Sequence, residues 1–79
     1  MSGDPLLLRD LEVGDHAVVV GFVSRTAYVD GLLRLGLIPG TEFEVLRRAP
    51  LGDPLEIRFR GYALALRPSE AGDLLVKKR

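Results

Sequence analysis

Apolar and polar residues alternate most cleanly from Leu55 to Arg60. Leu55, Ile57 and Phe59 fall on one side, and Glu56, Arg58 and Arg60 on the other. A period of two sends successive side chains to opposite faces, so this segment is predicted to be a half-buried strand. A second strand is predicted from Thr41 to about Arg48. Inward residues must meet inward residues, because a one-residue slip turns every side chain over. Setting Phe43 against Phe59 and Val45 against Ile57 satisfies that condition. It also places Glu44 opposite Arg58 and Glu42 opposite Arg60. Such exposed pairs contribute only about 0.2–1 kcal/mol each, enough to favour a register. Ala49 to Asp53 becomes the hairpin loop, with Pro54 at its edge.

Upstream, His16 to about Val23 is apolar almost throughout. That pattern predicts a strand buried on both faces or a barrel strand that bends, and Gly21 suggests a bend or a close backbone approach. Thr26 to Leu35 has helical periodicity, with Tyr28, Leu32 and Leu35 in one narrow arc. Thr26 is the expected N-cap, and Gly36 sits where a left-handed C-terminal cap belongs. Pro39-Gly40 suits the two central positions of a type II turn.

Around Arg60-Gly61-Tyr62 a second hairpin is expected, centred on Arg60-Gly61 or Gly61-Tyr62. Glycine in the first position favours the latter, as a type II′ turn. Pro68 to Ala71 reads as one helical turn and Leu74 to Lys77 as a last strand. At the other end, Leu7, Leu8 and Leu11 flank Arg9-Asp10, which suggests a turn with its leucines folded inward. Gly14-Asp15 reads as another turn. The expected organisation is a flexible tail over residues 1–7, one domain over residues 8–77, and a frayed end at residues 78–79. The expected fold is mainly β, a small five-stranded SH3-like barrel with one short helix between the first two strands.

With 79 residues and 47% hydrophobic content, the chain suits one small globular domain. A core of this size typically supplies about 3–5 kcal/mol of net stability. There is no cysteine, which fits a reducing compartment. The formal net charge of zero gives no global field for collecting phosphates. The start, Met-Ser-Gly-Asp-Pro, lacks a signal-peptide pattern, and no apolar run is long enough to span a bilayer. A cytoplasmic, free-standing protein is expected, reaching a membrane only indirectly.

Candidate chemistry is sparse. His16 is the only histidine, so a four-ligand zinc site cannot be assembled from nitrogen and sulfur. Asp10, Glu12, Asp15 and His16 are the candidates for a carboxylate metal site, although turn chemistry explains Asp15 without one. No second histidine can act as a base for Ser2 or Ser69. Gly52-Asp53-Pro54 is a turn rather than a phosphate loop. Arg47, Arg48, Arg58, Arg60 and Arg67 could form a basic stripe for nucleic acid, but Glu42, Glu44 and Glu56 interrupt it. No enzyme activity, cofactor, resident metal or nucleic-acid partner is expected.

Apolar residues beyond core needs are better candidates for function. Val29 and Leu33 lie roughly 100–140° round the helix from Tyr28, beside its core stripe. Leu51 stands between Pro50 and Gly52 at a loop tip. The expected partner-binding residues are Val29, Leu33, Pro50, Leu51, Gly52 and Asp53. The alternative is that Leu51 folds back and that Val29 and Leu33 cover the barrel mouth. Gly36, Pro39, Gly40, Pro54 and Gly61 are expected to be structural turn residues. An exposed strand edge could also pair chains into a homo-oligomer.

Four segments resemble the FeoA family, small proteins that accompany the bacterial ferrous-iron transporter FeoB. They are Leu8-Arg9-Asp10-Leu11-Glu12-Val13-Gly14, Leu35-Gly36-Leu37-Ile38-Pro39-Gly40-Thr41, Ala49 through Ile57, and Arg60 through Arg67 followed by Glu70-Ala71. The resemblance implies an SH3-like barrel and a non-enzymatic accessory or regulatory role in ferrous-iron uptake. It implies FeoB as partner, through that transporter's cytoplasmic region. No catalytic or iron-ligating residues carry over with it. A related barrel occurs in iron- or manganese-dependent repressors, which leaves a metal-sensing domain as another reading.

Overall fold

The strand from His16–Phe22 lies at the centre of the sheet and is paired on both sides in the computed structural model, which describes residues 5–51 and 53–79. Numbered along the chain, the strands are β1 (Leu6–Leu7), β2 (His16–Phe22), β3 (Glu42–Arg48), β4 (Leu55–Phe59), β5 (Tyr62–Leu66) and β6 (Leu74–Lys78). A single α-helix, α1 (Ala27–Leu35), connects β2 to β3. Among the described residues they form one antiparallel sheet in the order β1-β6-β2-β3-β4-β5. The fold is mainly β with one short helix, as expected, but it has six strands rather than five.

The additional strand corrects the expected tail. Leu6 faces Val76 and Leu7 faces Leu75, so residues 6–7 belong to the sheet. The C-terminus is likewise ordered by long-range pairing rather than frayed. Lys78 faces Ala17, the Arg79 N–H donates to the His16 carbonyl at 2.8 Å, and Arg79 Nη1 lies 2.9 Å from Glu42 Oε2. That ion pair takes Glu42, which the sequence reading had placed opposite Arg60.

The predicted β3–β4 register holds where it can be compared: Glu44 faces Arg58 and Val45 faces Ile57. Beyond Val45 the pairing shifts by one residue, a bulge at Leu46. The Ala49 N–H then donates to the Pro54 carbonyl at 3.1 Å and closes the loop. A second bulge, at Val20, interrupts β2 against β6. Ala17 and Val19 are buried while Val20 is exposed, so β2 bends and buries one face more than the other.

Local stereochemistry explains most of the turns. Gly36 at φ 103° ends α1 in a Schellman arrangement: its N–H reaches the Leu33 carbonyl and that of Leu37 reaches Leu32. The Thr41 N–H donates to the Ile38 carbonyl at 2.9 Å across Pro39-Gly40, with Gly40 at φ 94°, as a type II turn requires. The β4–β5 turn differs from expectation. It is centred on Arg60-Gly61, both at positive φ (53° and 80°), because Phe59 directly faces Tyr62. Positive φ at both central residues defines type I′, whose twist matches that of the strands.

Fifteen buried residues form one core cluster, from Leu8 and Leu11 through Val19, Leu32, Phe43, Val45, Ile57 and Phe59 to Leu74 and Val76. A fully buried Leu, Ile, Val or Phe side chain stabilises by about 1.5–3 kcal/mol relative to exposure, before conformational entropy is counted. Leu8 and Leu11 do turn inward around Arg9-Asp10, as the leucine spacing predicts.

Candidate partner-binding surface

The helix is rotated relative to its expected placement. Val29 and Leu32 are buried, Tyr28 and Leu33 are half-buried, and Leu35 is 55% exposed. At 100° per residue, the buried face centres about 60° from the Tyr28–Leu32–Leu35 arc. Val29 is therefore a correction: fully buried, it cannot meet a partner. Leu33 retains partial exposure, and Leu35, assigned to the core from periodicity, turns outward.

The predicted loop is partly as expected. Leu51 is 95% exposed and Pro50 is exposed. Asp53 is half-buried; its Oδ2 accepts from Ser69 Oγ at 3.3 Å, and its Oδ1 has no partner. Gly52 lies outside the described residues. Pro50 and Pro54, with Arg47, Ala49, Glu56 and Ala65, border a shallow cleft of about 400 Å³.

A second apolar surface went unseen in the sequence. The Thr26 hydroxyl accepts from the Val29 N–H at 3.1 Å and starts the helix. Tyr28, in the first turn, accepts from the Arg67 N–H at 3.0 Å through its hydroxyl, tying the start of the helix to the end of β5. At the other end, Gly36 lies against Phe59 and the Arg60 guanidinium. The helix thus runs alongside β5 in the opposite direction. Between them is a groove. Arg34, Leu35, Phe59, Tyr62, Ala63 and Leu64 line one part, of about 410 Å³. Ala27, Tyr28, Gly31 and Leu32 face Ala65 and Leu66 across a second part, of about 310 Å³. Leu35 and Leu64 line both. Tyr62, 66% exposed, stands at the rim with its ring 6.3 Å from that of Phe59.

Many of the other charged residues pair with one another or with backbone. Asp10 Oδ2 accepts from the Leu7 N–H, and Asp15 Oδ2 accepts from the Glu12 N–H at 2.7 Å. That bond is the main reason the Asp15 carboxyl titrates below its ordinary value of 3.8; Lys78 at 3.5 Å assists, and partial burial opposes. His16 Nε2 lies 3.9 Å from Glu44 Oε2. Among the described residues, no group of three or more His, Cys, Asp or Glu side chains gathers as a metal site would require. Within the arginine stripe, Arg47 pairs with Glu56 at 3.0 Å and Arg58 with Glu44 at 3.4 Å. Arg48 donates to the Leu11 and Arg9 carbonyls, stapling the N-terminal turn to β3. Among the described residues, no helix is long and apolar enough to cross a membrane.

A small antiparallel sheet with a helix along one edge defines a fold of SH3-like type. The FeoA domain family model matches residues 6–78, and the chain belongs to the FeoA family, which is associated with ferrous-iron transport. It is similar to the FeoA-like protein of Clostridium acetobutylicum, with a TM-score of 0.85 and 36% identity over 99% of this chain and 90% of that one. It is also similar to the FeoA of Stenotrophomonas maltophilia, a prokaryotic SH3 domain protein solved with zinc. There the TM-score is 0.77 and the identity 29%, over 91% of this chain and 89% of that one. A curated relative is the Fe(2+) transport protein A/Fe(2+) transporter FeoB fusion protein of Porphyromonas gingivalis, 33% identical over 70 residues. Those residues are 89% of this chain and 8% of the relative's length.

Proposed function

We propose that the chain is a non-enzymatic accessory unit of ferrous-iron uptake that binds the cytoplasmic region of a FeoB-type transporter. The observation that carries this reading is the P. gingivalis relative, which unites an Fe(2+) transport protein A unit and FeoB in one polypeptide. Fusion keeps two units together at high effective concentration, which indicates that the two act in proximity. The apolar groove between α1 and β5 offers a surface for contact between them. Half-buried Leu33 and the loop of Pro50, Leu51, Gly52 and Asp53 are a secondary contact. The carboxylate-paired arginines favour this reading over nucleic-acid binding.

Affinity purification of a tagged FeoB-type transporter from cells producing this chain is the test. The wild-type chain should be retained, Leu35→Glu should be largely lost, and Leu51→Glu should be reduced. Both positions are exposed, so neither change should unfold the protein, which circular dichroism would check. A wild-type chain that is not retained would contradict the assignment.

A further inference from the structure

The groove beside β5 borders an open sheet edge. Among the described residues, β5 is the last strand of the sheet and pairs only with β4. The two-residue turn at Arg60-Gly61 fixes which of its backbone groups are used. Phe59 and Tyr62 close the hairpin, so Tyr62, Leu64 and Leu66 exchange bonds with β4. The N–H and C=O groups of the alternate residues, Ala63 and Ala65, point the other way, toward the edge. The bond from the Arg67 N–H to the Tyr28 hydroxyl has the same phase: two residues beyond Ala65, the outward donor meets the helix. Among the described residues, nothing comparable meets Ala63 or Ala65.

Sheet edges are usually protected by charge, proline, a bulge, extreme shortness, or a covering helix or loop. β5 reads Tyr-Ala-Leu-Ala-Leu and has none of the first four, and α1 beside it bonds the outward backbone at Arg67, past the end of the strand. Its outward residues are alanines, both exposed, so another backbone can approach closely. Opposite them, the helix wall is low at Gly31, where an added Cβ would meet nothing within 4 Å. A groove with a bare strand edge on one side and a helix on the other is the geometry that PDZ domains use to add an extended peptide to their sheet.

We propose that β5 takes up an extended segment of a partner protein as an additional strand. Its backbone would bond Ala63 and Ala65, and its alternate apolar side chains would enter the groove against Leu35 and Leu64. The groove also specifies charge. Arg34 lines it and Arg60 stands at the hairpin end, whereas Arg67, at the other end, is paired with Glu70 at 3.9 Å, so the fitting segment carries a carboxylate beside its apolar stretch at the end that meets the hairpin. The segment belongs to the partner proposed above only if that reading holds; the strand-addition chemistry stands apart from it.

The test uses the purified chain and a synthetic peptide, Glu-Val-Thr-Val-Thr-Val-Glu, capped at both ends, with its N-methylated counterpart as control. Amide exchange is followed by NMR. Saturating peptide should slow exchange at Ala63 and Ala65 by about tenfold or more, with Leu64 and Leu66 little changed. The N-methylated peptide should give no protection, since it lacks the donors. Ala63→Pro removes an N–H that the fold does not use and should abolish binding. Gly31→Leu, which fills the groove from the helix side, should do the same. Unchanged exchange at Ala63 and Ala65, equal binding of the N-methylated peptide, or protection without peptide that grows with protein concentration would each overturn the proposal. None of these outcomes involves the transporter, so failure here and failure of the transporter assignment are distinguishable.

Discussion

The two edges of the sheet are treated differently by the chain. At one edge, β1 is only two residues long, and the leucine-rich turn that follows places Leu8 and Leu11 in the core. Arg48 reaches across to hold that turn by its carbonyls. At the other edge, β5 has five residues, no charged side chain and outward alanines. The helix lies beside this edge and contacts its backbone at one point, Arg67. Brevity and side-chain stapling leave little backbone for another strand at β1. The bare backbone of β5 is kept next to an apolar groove, at the risk of unwanted pairing. A fold that protects one edge and leaves the other open separates the part that holds the sheet together from the part proposed to take up a partner.

The largest expected effect comes from the protected side. Leu8→Ala removes a fully buried side chain behind β1 and should cost about 2–5 kcal/mol, read from the urea midpoint. The loss approaches the whole stability of so small a domain, so it would show that the protected edge holds the fold. Tyr28→Phe acts on the open side and should cost about 0.5–1 kcal/mol by releasing the Arg67 N–H. Faster amide exchange at Arg67 would accompany it. Gly31→Ala should change stability by a similar amount in the opposite sense, about 0.5–1 kcal/mol, by relieving the cost of a helix-interior glycine. Thermal unfolding would record the rise.

The smallest effect is a pH dependence far from the open edge. The folded Asp15 carboxyl titrates below its unfolded value, so it stabilises the fold at pH above 3.8 and loses that contribution as pH falls through its depressed value. Asp15→Asn should lower stability slightly at neutral pH and flatten its decline below about pH 4. An unaltered acid-unfolding curve would remove Asp15 from the account.

Most turns were legible in the sequence because their causes are local; the β4–β5 turn was not, because positive φ at Arg60, a non-glycine residue, leaves no mark in composition. Gly36, Pro39 and Gly40 behave as their permitted dihedral angles require. The alternation of β4 gave its register with β3 up to the bulge at Leu46. Helix rotation was not legible: Tyr28, Val29, Leu32, Leu33 and Leu35 form an apolar arc too broad to define one buried face. β1 is too short to show a period, and the order of Lys78 and Arg79 depends on pairing with residues some sixty positions earlier. The groove was missed because a period of two says which way a side chain points, not whether its strand has a neighbour. Only the sheet order reveals that β5 has none on its outer side.

Residue-by-residue amide exchange of the free monomer tests the open edge most directly. Ala63 and Ala65 should exchange rapidly, while Leu64, Leu66 and the Tyr28-capped Arg67 should exchange slowly. Uniformly slow exchange along β5 at high dilution would mean that its outward backbone is already satisfied, and the account of an edge kept for a partner would fail.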